Sequence, residues 1–327
     1  MLILELVGKI SSVADGDRIT LPVGSAADRE LVAAWCRRTG NTLVAADDSS
    51  VTVRRGRPTD PIAELPPDRR PGARLWLYTN FDCNLACDYC CVRSSPQTAR
   101  RALGTDRVRQ IAEAAPGAGI SEILLTGGEP FLLPDLDRIV AHCTAALPTT
   151  LLTNGMLFRG RRLHMLRAMP RDRLTLQISL DSATPGLHDS HRGEGTWAKS
   201  VAGIRTALDE GFTVRVAATL TTNDRHEEAG LRTFLDTLGI HRRDQVIRPL
   251  AHEGAAENGL HLTSETLIPE ITLTADGVYW HPVAADNDAQ LVTRDIFPLG
   301  AAVELVREKF RGYREHADSA ARTFPCA

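Results

Sequence analysis

After residue 74 the sequence alternates between short apolar runs and amphipathic stretches, and this alternation restricts the fold more than any other feature. The amphipathic stretches carry apolar residues at the i, i+3/i+4, i+7 spacing of a helix that rests on a sheet. Strands that alternate with helices predict parallel βα units. Because six strands are too few for a closed eight-stranded barrel, we expect an α/β fold, a partial (β/α)6 TIM-like barrel. The predicted strands are residues 75–78, 122–125, 149–152, 174–180, 213–220 and 246–249.

A stretch rich in proline and arginine precedes this region and marks a domain boundary, because its prolines disfavour regular structure. Before it we expect a small α/β unit. Its helix is predicted to run from Ser25 to Gly40 and to bury Leu31, Val32 and Trp35. Its strands, the last two of which form a hairpin, are predicted at residues 2–7, 19–22, 42–45 and 51–54.

The pattern changes again after the predicted barrel. Two apolar runs, 271–273 and 278–280, flank an Ala-Asp-Gly turn and predict a β-hairpin, and an amphipathic helix follows Pro298. We therefore divide the chain into an amino-terminal unit, a linker, the barrel, and an extension of hairpin and helix. The boundaries are residues 1–57, 58–73, 74–260 and 261–327.

Charge and hydropathy exclude two classes of partner. The 327 residues carry a formal net charge of −3, which argues against nucleic-acid binding driven by phosphate contacts. No apolar run approaches the roughly 20 residues needed to span a bilayer, and the first residues lack the cationic start of a secretory signal. We expect a cytoplasmic protein with neither a nucleic-acid nor a membrane partner.

Four of the seven cysteines lie within residues 83–91, and this clustering indicates metal ligation in a reducing compartment rather than disulfides. Cys83, Cys87 and Cys90 follow the first barrel strand directly. Active sites of βα barrels gather at that end of the strands. Three thiolates can fill three iron corners of a cubane cluster, and a CxxxCxxC loop differs from the paired CxxC segments of structural zinc sites.

These cysteines, with Tyr89 just before the last one, match the signature of the radical S-adenosylmethionine (SAM) superfamily, which the chain resembles. Gly-Gly-Glu-Pro at 127–130, after the second strand, strengthens the resemblance. Residues 153–155 and 179–181, after the third and fourth strands, are similar to the family's SAM-contacting segments. Residues 188–193 resemble a subgroup that includes peptide-modifying and quinone-cofactor enzymes.

The resemblance implies two cofactors, a [4Fe–4S] cluster held by Cys83, Cys87 and Cys90, and SAM at the fourth iron. The implied reaction is reductive cleavage of SAM to a 5′-deoxyadenosyl radical, which abstracts hydrogen from an unidentified small metabolite or peptide. An electron donor such as flavodoxin or ferredoxin is the implied protein partner.

The resemblance also implies roles for single residues in contacting SAM. Residues 127–128 let the backbone approach the SAM amino group, since glycine has no Cβ. Asn154 and Ser179 are candidates for hydrogen bonds to the carboxylate or the ribose, while Ser179 and Asp181 fit structural caps equally well. Tyr89 packs near the adenine or fills the core. The candidate SAM-contacting residues are Tyr89, Gly127, Gly128, Glu129, Asn154, Ser179 and Asp181.

The remaining cysteines divide into two groups. Cys36 and Cys143 lie on predicted helices and are interpreted as packing residues. Cys91 adjoins the predicted cluster loop, and Cys326 is the penultimate residue. Cys91 is either an inert neighbour of the loop or a catalytic residue. Cys326 is either an inert thiol or folds back to the barrel as a hydrogen donor or an extra ligand.

Two departures from related families limit the prediction. The hairpin resembles an auxiliary-cluster extension, but His281 stands where a cysteine is expected, so we predict a single cluster. The amino-terminal unit resembles small sulfur-carrier proteins, yet no cysteine precedes Cys36. A docking role therefore fits this unit better than sulfur transfer. The alternative functions are a sulfur-inserting radical enzyme and a non-catalytic iron–sulfur electron carrier, and residues 127–130 argue against the carrier.

Overall fold

The computed structural model describes residues 2–56, 60–221 and 224–323, which group into two compact units. The first unit contains the described residues up to Pro66, together with those from Arg311 onward. The second unit contains the described residues from Pro67 to Phe310. Among all described residues, no helix is both long enough and apolar enough to cross a lipid bilayer.

The described part of the first unit contains a three-stranded antiparallel sheet in the order β1-β3-β2. Apolar residues of the helices and strands form its core, where Leu6, Leu21 and Val32 are fully buried. The elements are α1 (Leu2–Ser11), β1 (Arg18–Pro22), α2 (Ala26–Thr39), β2 (Thr42–Ala46) and β3 (Ser50–Arg54).

Most elements of this unit are confirmed, but the predicted strand at residues 2–7 is wrong. This segment belongs to α1, because Leu6 and Ile10, four residues apart, are buried together on one helical face. Helix α2 is confirmed, and the Ser25 hydroxyl accepts a hydrogen bond from the Asp28 N–H at its start. The predicted burial of Leu31 is also wrong, since this side chain is 44% exposed.

The second unit contains a nine-stranded sheet within its described residues, in the order β12-β11-β10-β4-β5-β6-β7-β8-β9. Strands β4 to β9 are parallel neighbours in chain order, so the α/β fold with a parallel sheet is confirmed. The strands are β4 (Arg74–Tyr78), β5 (Glu122–Thr126), β6 (Thr149–Thr153), β7 (Leu174–Ser179), β8 (Thr213–Leu220), β9 (Gln245–Pro249), β10 (Thr272–Thr274), β11 (Gly277–Tyr279) and β12 (Leu291–Thr293).

Helices separate the parallel strands and cover the sheet. Their buried residues follow the predicted stripes, as at Val108 and Ile111 or at Ile139 and Val140. Long apolar runs in β4 and β5 fit strands that are buried on both faces. The helices are α3 (Thr105–Ala114), α4 (Leu136–Ala146), α5 (Arg161–Ala168), α6 (Pro185–Arg192), α7 (Thr196–Asp209), α8 (Glu228–Thr237) and α9 (Leu299–Thr323).

The predicted carboxy-terminal hairpin is confirmed, and it joins the main sheet. Strands β10 and β11 pair antiparallel, while β10 pairs parallel with β4, so that Thr272 lies opposite Trp76. Strand β12, which pairs antiparallel with β11, was not predicted. Strand β4 therefore lies between β5 and β10, and its carboxyl end leads into the cysteine loop.

Candidate cluster and cofactor site

The three predicted cluster ligands lie on the loop that follows β4. Cys83 is buried, whereas Cys87 and Cys90 are partly exposed. The backbone N–H of Leu85 donates to Cys83 Sγ at 3.4 Å, and that of Ser94 donates to Cys90 Sγ at 3.2 Å. Hydrogen bonds of this kind stabilise negative sulfur and tune the potential of iron–sulfur clusters.

The chemistry of this donor set fits an iron–sulfur cluster. Burial raises the pKa of the Cys83 thiol to about 12 and that of Cys87 to about 11, so a cation is needed to hold thiolates here. Thiolates of a zinc site share one ion at about 2.3 Å, whereas a cubane receives each thiolate at a separate iron.

The Gly-Gly-Glu-Pro segment after β5 packs directly against the start of the cysteine loop. The N–H of Gly128 donates to Asn80 O, and that of Glu129 donates to Asp82 O, both at 3.0 Å. A Cβ on Gly128 would lie 2.2 Å from Asp82 O, and one on Gly127 would lie 2.5 Å from Asn80 Oδ1. Glycine is thus required at both positions by the loop backbone itself, in addition to the SAM contact implied by the sequence resemblance.

Asn80 holds the two segments together and escaped the sequence analysis. It is fully buried, and its Nδ2 donates to Asp82 O at 2.8 Å and to Glu129 O at 3.1 Å. The available signal was its place two residues after a buried strand, where a polar side chain needs partners.

Glu129 connects the ends of β5 and β6 through its fully buried carboxylate. Its Oε1 accepts from the Phe131 N–H at 3.0 Å and the Thr153 hydroxyl at 2.7 Å, and Oε2 accepts from the Asn154 N–H at 2.8 Å. Burial raises the pKa of Glu129, which these hydrogen bonds oppose. The Asn154 side chain in turn donates to Asn84 Oδ1 at 2.9 Å. The side chains of Glu129 and Asn154 thus both form hydrogen bonds with other groups of the protein.

Asp181, after β7, is equally buried and connects three elements. Its Oδ2 accepts from the Tyr89 hydroxyl at 2.5 Å and Arg192 Nε at 2.6 Å, while Oδ1 accepts from the Thr219 N–H at 3.0 Å. Burial alone would raise the pKa of Asp181, but the Arg192 guanidinium holds it well below its usual range. Tyr89 is neutral, because burial raises the pKa of its phenol well above 10.

Ser179 and Cys91 occupy different surroundings. Ser179 is half-buried at the end of β7, and its hydroxyl makes no hydrogen bond to the described part of the chain. Cys91 packs against an apolar cluster that contains Tyr78 and Phe81, and burial raises its pKa to about 11. The other candidate for catalysis, Cys326, lies outside the described residues.

A cavity of about 640 Å³ adjoins the cysteine loop, between the segment after β6 and the region where α6 leads into α7. Asn84, Arg192 and His191 line it, together with the exposed cations Arg159 and Lys199. None of the described cluster cysteines or candidate SAM-contacting residues lines this cavity. The three thiols, and not the cavity, therefore indicate the position of the predicted cluster site.

The hairpin residue His281 is held as a neutral imidazole. Burial lowers its pKa to about 4, and its Nδ1 accepts a hydrogen bond from the Val283 N–H at 3.2 Å. An imidazole in this state fills space and accepts one backbone hydrogen bond.

Several curated proteins are similar to part of the chain. The subtilosin biosynthesis protein AlbA of Bacillus subtilis is 35% identical over 150 residues, which cover 43% of this chain and 32% of AlbA. An AdoMet-dependent heme synthase of Methanosarcina barkeri is 31% identical over 44% of this chain and 42% of that protein. The chain thus spans less than half the length of these relatives.

Solved structures share the fold at low sequence identity. The structure titled native anSMEcpe with bound AdoMet and Kp18Cys peptide superimposes with a TM-score of 0.56, at 12% identity, over 73% of this chain and 82% of that one. Streptococcus suis SuiB bound to S-adenosylmethionine gives a TM-score of 0.50 at 19% identity, over 59% of this chain and 44% of SuiB.

The model of the Radical SAM superfamily matches residues 77–238. The match begins within β4 and includes the cysteine loop, the Gly-Gly-Glu-Pro segment and the ends of β6 and β7. This family of enzymes uses a [4Fe–4S] cluster and SAM. Through residues 77–238, the chain belongs to the radical SAM superfamily.

Proposed function

We propose that this chain is an enzyme that binds one [4Fe–4S] cluster through Cys83, Cys87 and Cys90 and cleaves SAM reductively. The cluster, when bound, supplies the electron that breaks the SAM sulfonium bond to give a 5′-deoxyadenosyl radical. The observation that carries the proposal is the hydrogen-bonded contact between the cysteine loop and the Gly-Gly-Glu-Pro segment, from Gly128 to Asn80 and from Glu129 to Asp82. An electron carrier has no need of this second segment.

The protein's own residues bind, orient and shield in this proposal. The free hydroxyl of Ser179 lies at the carboxyl end of the sheet, where it is available to SAM. Residues 127–128 offer backbone groups beside the cysteine loop. Arg159 and Lys199 give the adjoining cavity two exposed cations, which suit an anionic group of a ligand. The radical then abstracts hydrogen from a substrate held near this edge.

The substrate that we propose is a peptide or a small metabolite. AlbA, a bacteriocin biosynthesis protein, favours a peptide, while the heme synthase favours a small metabolite. We further propose a cytoplasmic location, a flavodoxin- or ferredoxin-type electron donor, and six parallel strands that curve into an open barrel. The unbroken chain order of β4 to β9 supports the barrel.

Anaerobic turnover tests the proposal directly. Reconstituted wild-type protein, given dithionite and SAM, should release 5′-deoxyadenosine and methionine. Cys83→Ala should abolish release, whereas Cys36→Ala, which removes a buried thiol from the first unit, should retain it. A wild-type protein that has a full, reducible cluster but neither binds nor cleaves SAM would be an iron–sulfur electron carrier.

A further inference from the structure

Two fully buried carboxylates, Glu129 and Asp181, lie beside the cysteine loop and make no contact with solvent. A buried carboxylate is costly unless hydrogen bonds and counter-charges offset its desolvation. Each of these two accepts hydrogen bonds from three groups, on the segments after β5 and at the end of β6 for Glu129 and on three separate segments for Asp181. The presence of so many hydrogen bonds to two buried carboxylates beside one loop indicates that these residues hold the loop in position.

The first set of contacts reaches the loop just after Cys83. Glu129 Oε2 accepts from the backbone N–H of Asn154 at 2.8 Å, which fixes this residue at the end of β6. The Asn154 side chain then donates to Asn84 Oδ1 at 2.9 Å, while its own Oδ1 accepts from the Met156 N–H at 3.0 Å. Asn84 directly follows the first cysteine and is thus tied to β5 and β6.

The second set reaches the loop between Cys87 and Cys90. Asp181 accepts from the Tyr89 hydroxyl at 2.5 Å, and the Arg192 guanidinium carbon lies 5.3 Å from the centre of the Tyr89 ring. Beside it, Asp88 is hydrogen-bonded to His191 through its backbone N–H at 3.3 Å and its carboxylate at 3.0 Å. Helix α6 and the end of β7 therefore fix this half of the loop.

We propose that Glu129 and Asp181 are positioning residues that set the spacing of the three cysteine thiols before the cluster is inserted. Asn84 and Tyr89 are the last links from the two carboxylates to the loop. Holding ligands in place lowers the ordering cost of binding, so the two links raise the kinetic stability of the bound cluster. This inference rests on the proposed cluster ligands and reassigns Glu129 and Asp181 from SAM contact to loop support.

Cutting the last links, and leaving the carboxylates in place, tests the proposal with least damage to the core. The variants are Asn84→Ala and Tyr89→Phe, with Thr144→Val as the control. Thr144→Val also removes one buried hydroxyl, which donates to Val140 O at 2.9 Å within α4 and lies outside both sets of contacts. All proteins are reconstituted anaerobically without SAM, and the rate of iron release to a chelator and the thermal midpoint are measured.

We expect Asn84→Ala and Tyr89→Phe each to release iron about tenfold faster than wild type, the effect of losing roughly one charge-assisted or buried hydrogen bond. The double variant should approach about a hundredfold, since the two links are separate. The electron paramagnetic resonance signal of the reduced cluster should broaden in both single variants. Thr144→Val should lower the thermal midpoint without changing iron release or the signal.

Iron release and spectra within twofold of wild type in both single variants would overturn the proposal. An equal acceleration in Thr144→Val would do the same, because it would show a general loss of stability. Failure of the proposed enzyme function is a distinct result: the wild type would load iron yet produce no 5′-deoxyadenosine. Since iron release is measured without SAM, the two failures are told apart.

Discussion

The cysteine loop and the helices packed on the sheet both contain thiols, but in opposite surroundings. On the loop, Cys83 Sγ and Cys90 Sγ each accept a hydrogen bond from a backbone N–H. In α4, Cys143 is fully buried among apolar residues, and burial raises its pKa to about 12 with no opposing effect. The first environment suits a ligated thiolate and the second a small apolar side chain. Surroundings, more than residue type, distinguish the two uses of cysteine.

The largest expected difference between the cysteine loop and α4 is in iron binding. Cys87→Ala should abolish cluster binding, because it removes one of three protein ligands. Cys143→Ala should bind the wild-type amount, about four iron atoms per chain, since it only trims a packed side chain. Iron and sulfide analysis after anaerobic reconstitution measures both variants. Equal iron loss in the two variants would contradict the distinction between a ligating thiol on the loop and a packing thiol in α4.

Glycine substitutions sharpen the comparison at the backbone level. Gly128→Ala should lower the free energy of unfolding by about 1–3 kcal/mol and reduce iron loading, because the added Cβ meets Asp82 O at 2.2 Å. Gly186→Ala is the control, since nothing lies within 4 Å of a Cβ there in α6. Urea unfolding of the apoproteins measures the difference. The interpretation of Gly128 is wrong if both variants match wild type.

His281 extends the comparison to a half-buried base, for which desolvation outweighs the nearby Glu270 carboxylate. Its folded pKa, about 4, lies below the usual 6.5, so the unfolded chain binds more protons between these values. This group therefore favours folding above pH 6.5, and its contribution is lost as the pH falls toward 4. Relative to His281→Gln, the wild type should lose about 1–3 kcal/mol more over this range. If the free energy of unfolding in urea changes with pH in the same way for the wild type and His281→Gln, the burial argument is contradicted. His164→Gln, at an exposed position, is the control.

The smallest expected effect lies at the start of α7. Asp189 Oδ1 accepts from the Trp197 N–H at 2.7 Å, and Oδ2 accepts from the Gly195 N–H at 2.9 Å. Although burial raises the pKa of Asp189, these bonds lower it overall, so its contribution is present at neutral pH and lost in acid. Asp189→Ala should cost about 1 kcal/mol at neutral pH. Thermal unfolding at pH 7 and pH 3 should show a smaller difference at the lower pH.

The parallel strands and the cysteine loop were predictable because their signals are local. Apolar runs such as 122–125 identify buried strands, and the spacing of Cys83, Cys87 and Cys90 on one loop predicts three ligands of one site. The strand prediction at residues 2–7 failed because it also relied on a local signal. A short apolar run fits either a strand or a helix, and only packing against the sheet decides between the two.

The supporting contacts were not predictable, because each joins residues far apart in the chain. Nothing near Asp181 in the sequence indicates that Tyr89 donates to it, and nothing near Gly128 indicates that Asp82 occupies the place of a Cβ. The residue before helix α7 is Gly195, which offers no side-chain cap, and Asp189 caps the helix instead. Sequence motifs indicate the position of the candidate cluster site, while its rigidity depends on contacts between residues far apart in the chain.

The pairing of β10 with β4 has a consequence for the order of events during synthesis. The strand that leads into the cysteine loop acquires its second neighbour only after Thr272 and Leu273 have been made. Glu270, which bonds the side chains of Arg74 and Trp76, arrives equally late. A nascent chain with all its cluster ligands outside the ribosome therefore still has an open sheet edge beside them. This edge closes only once β10 has been synthesised and pairs with β4.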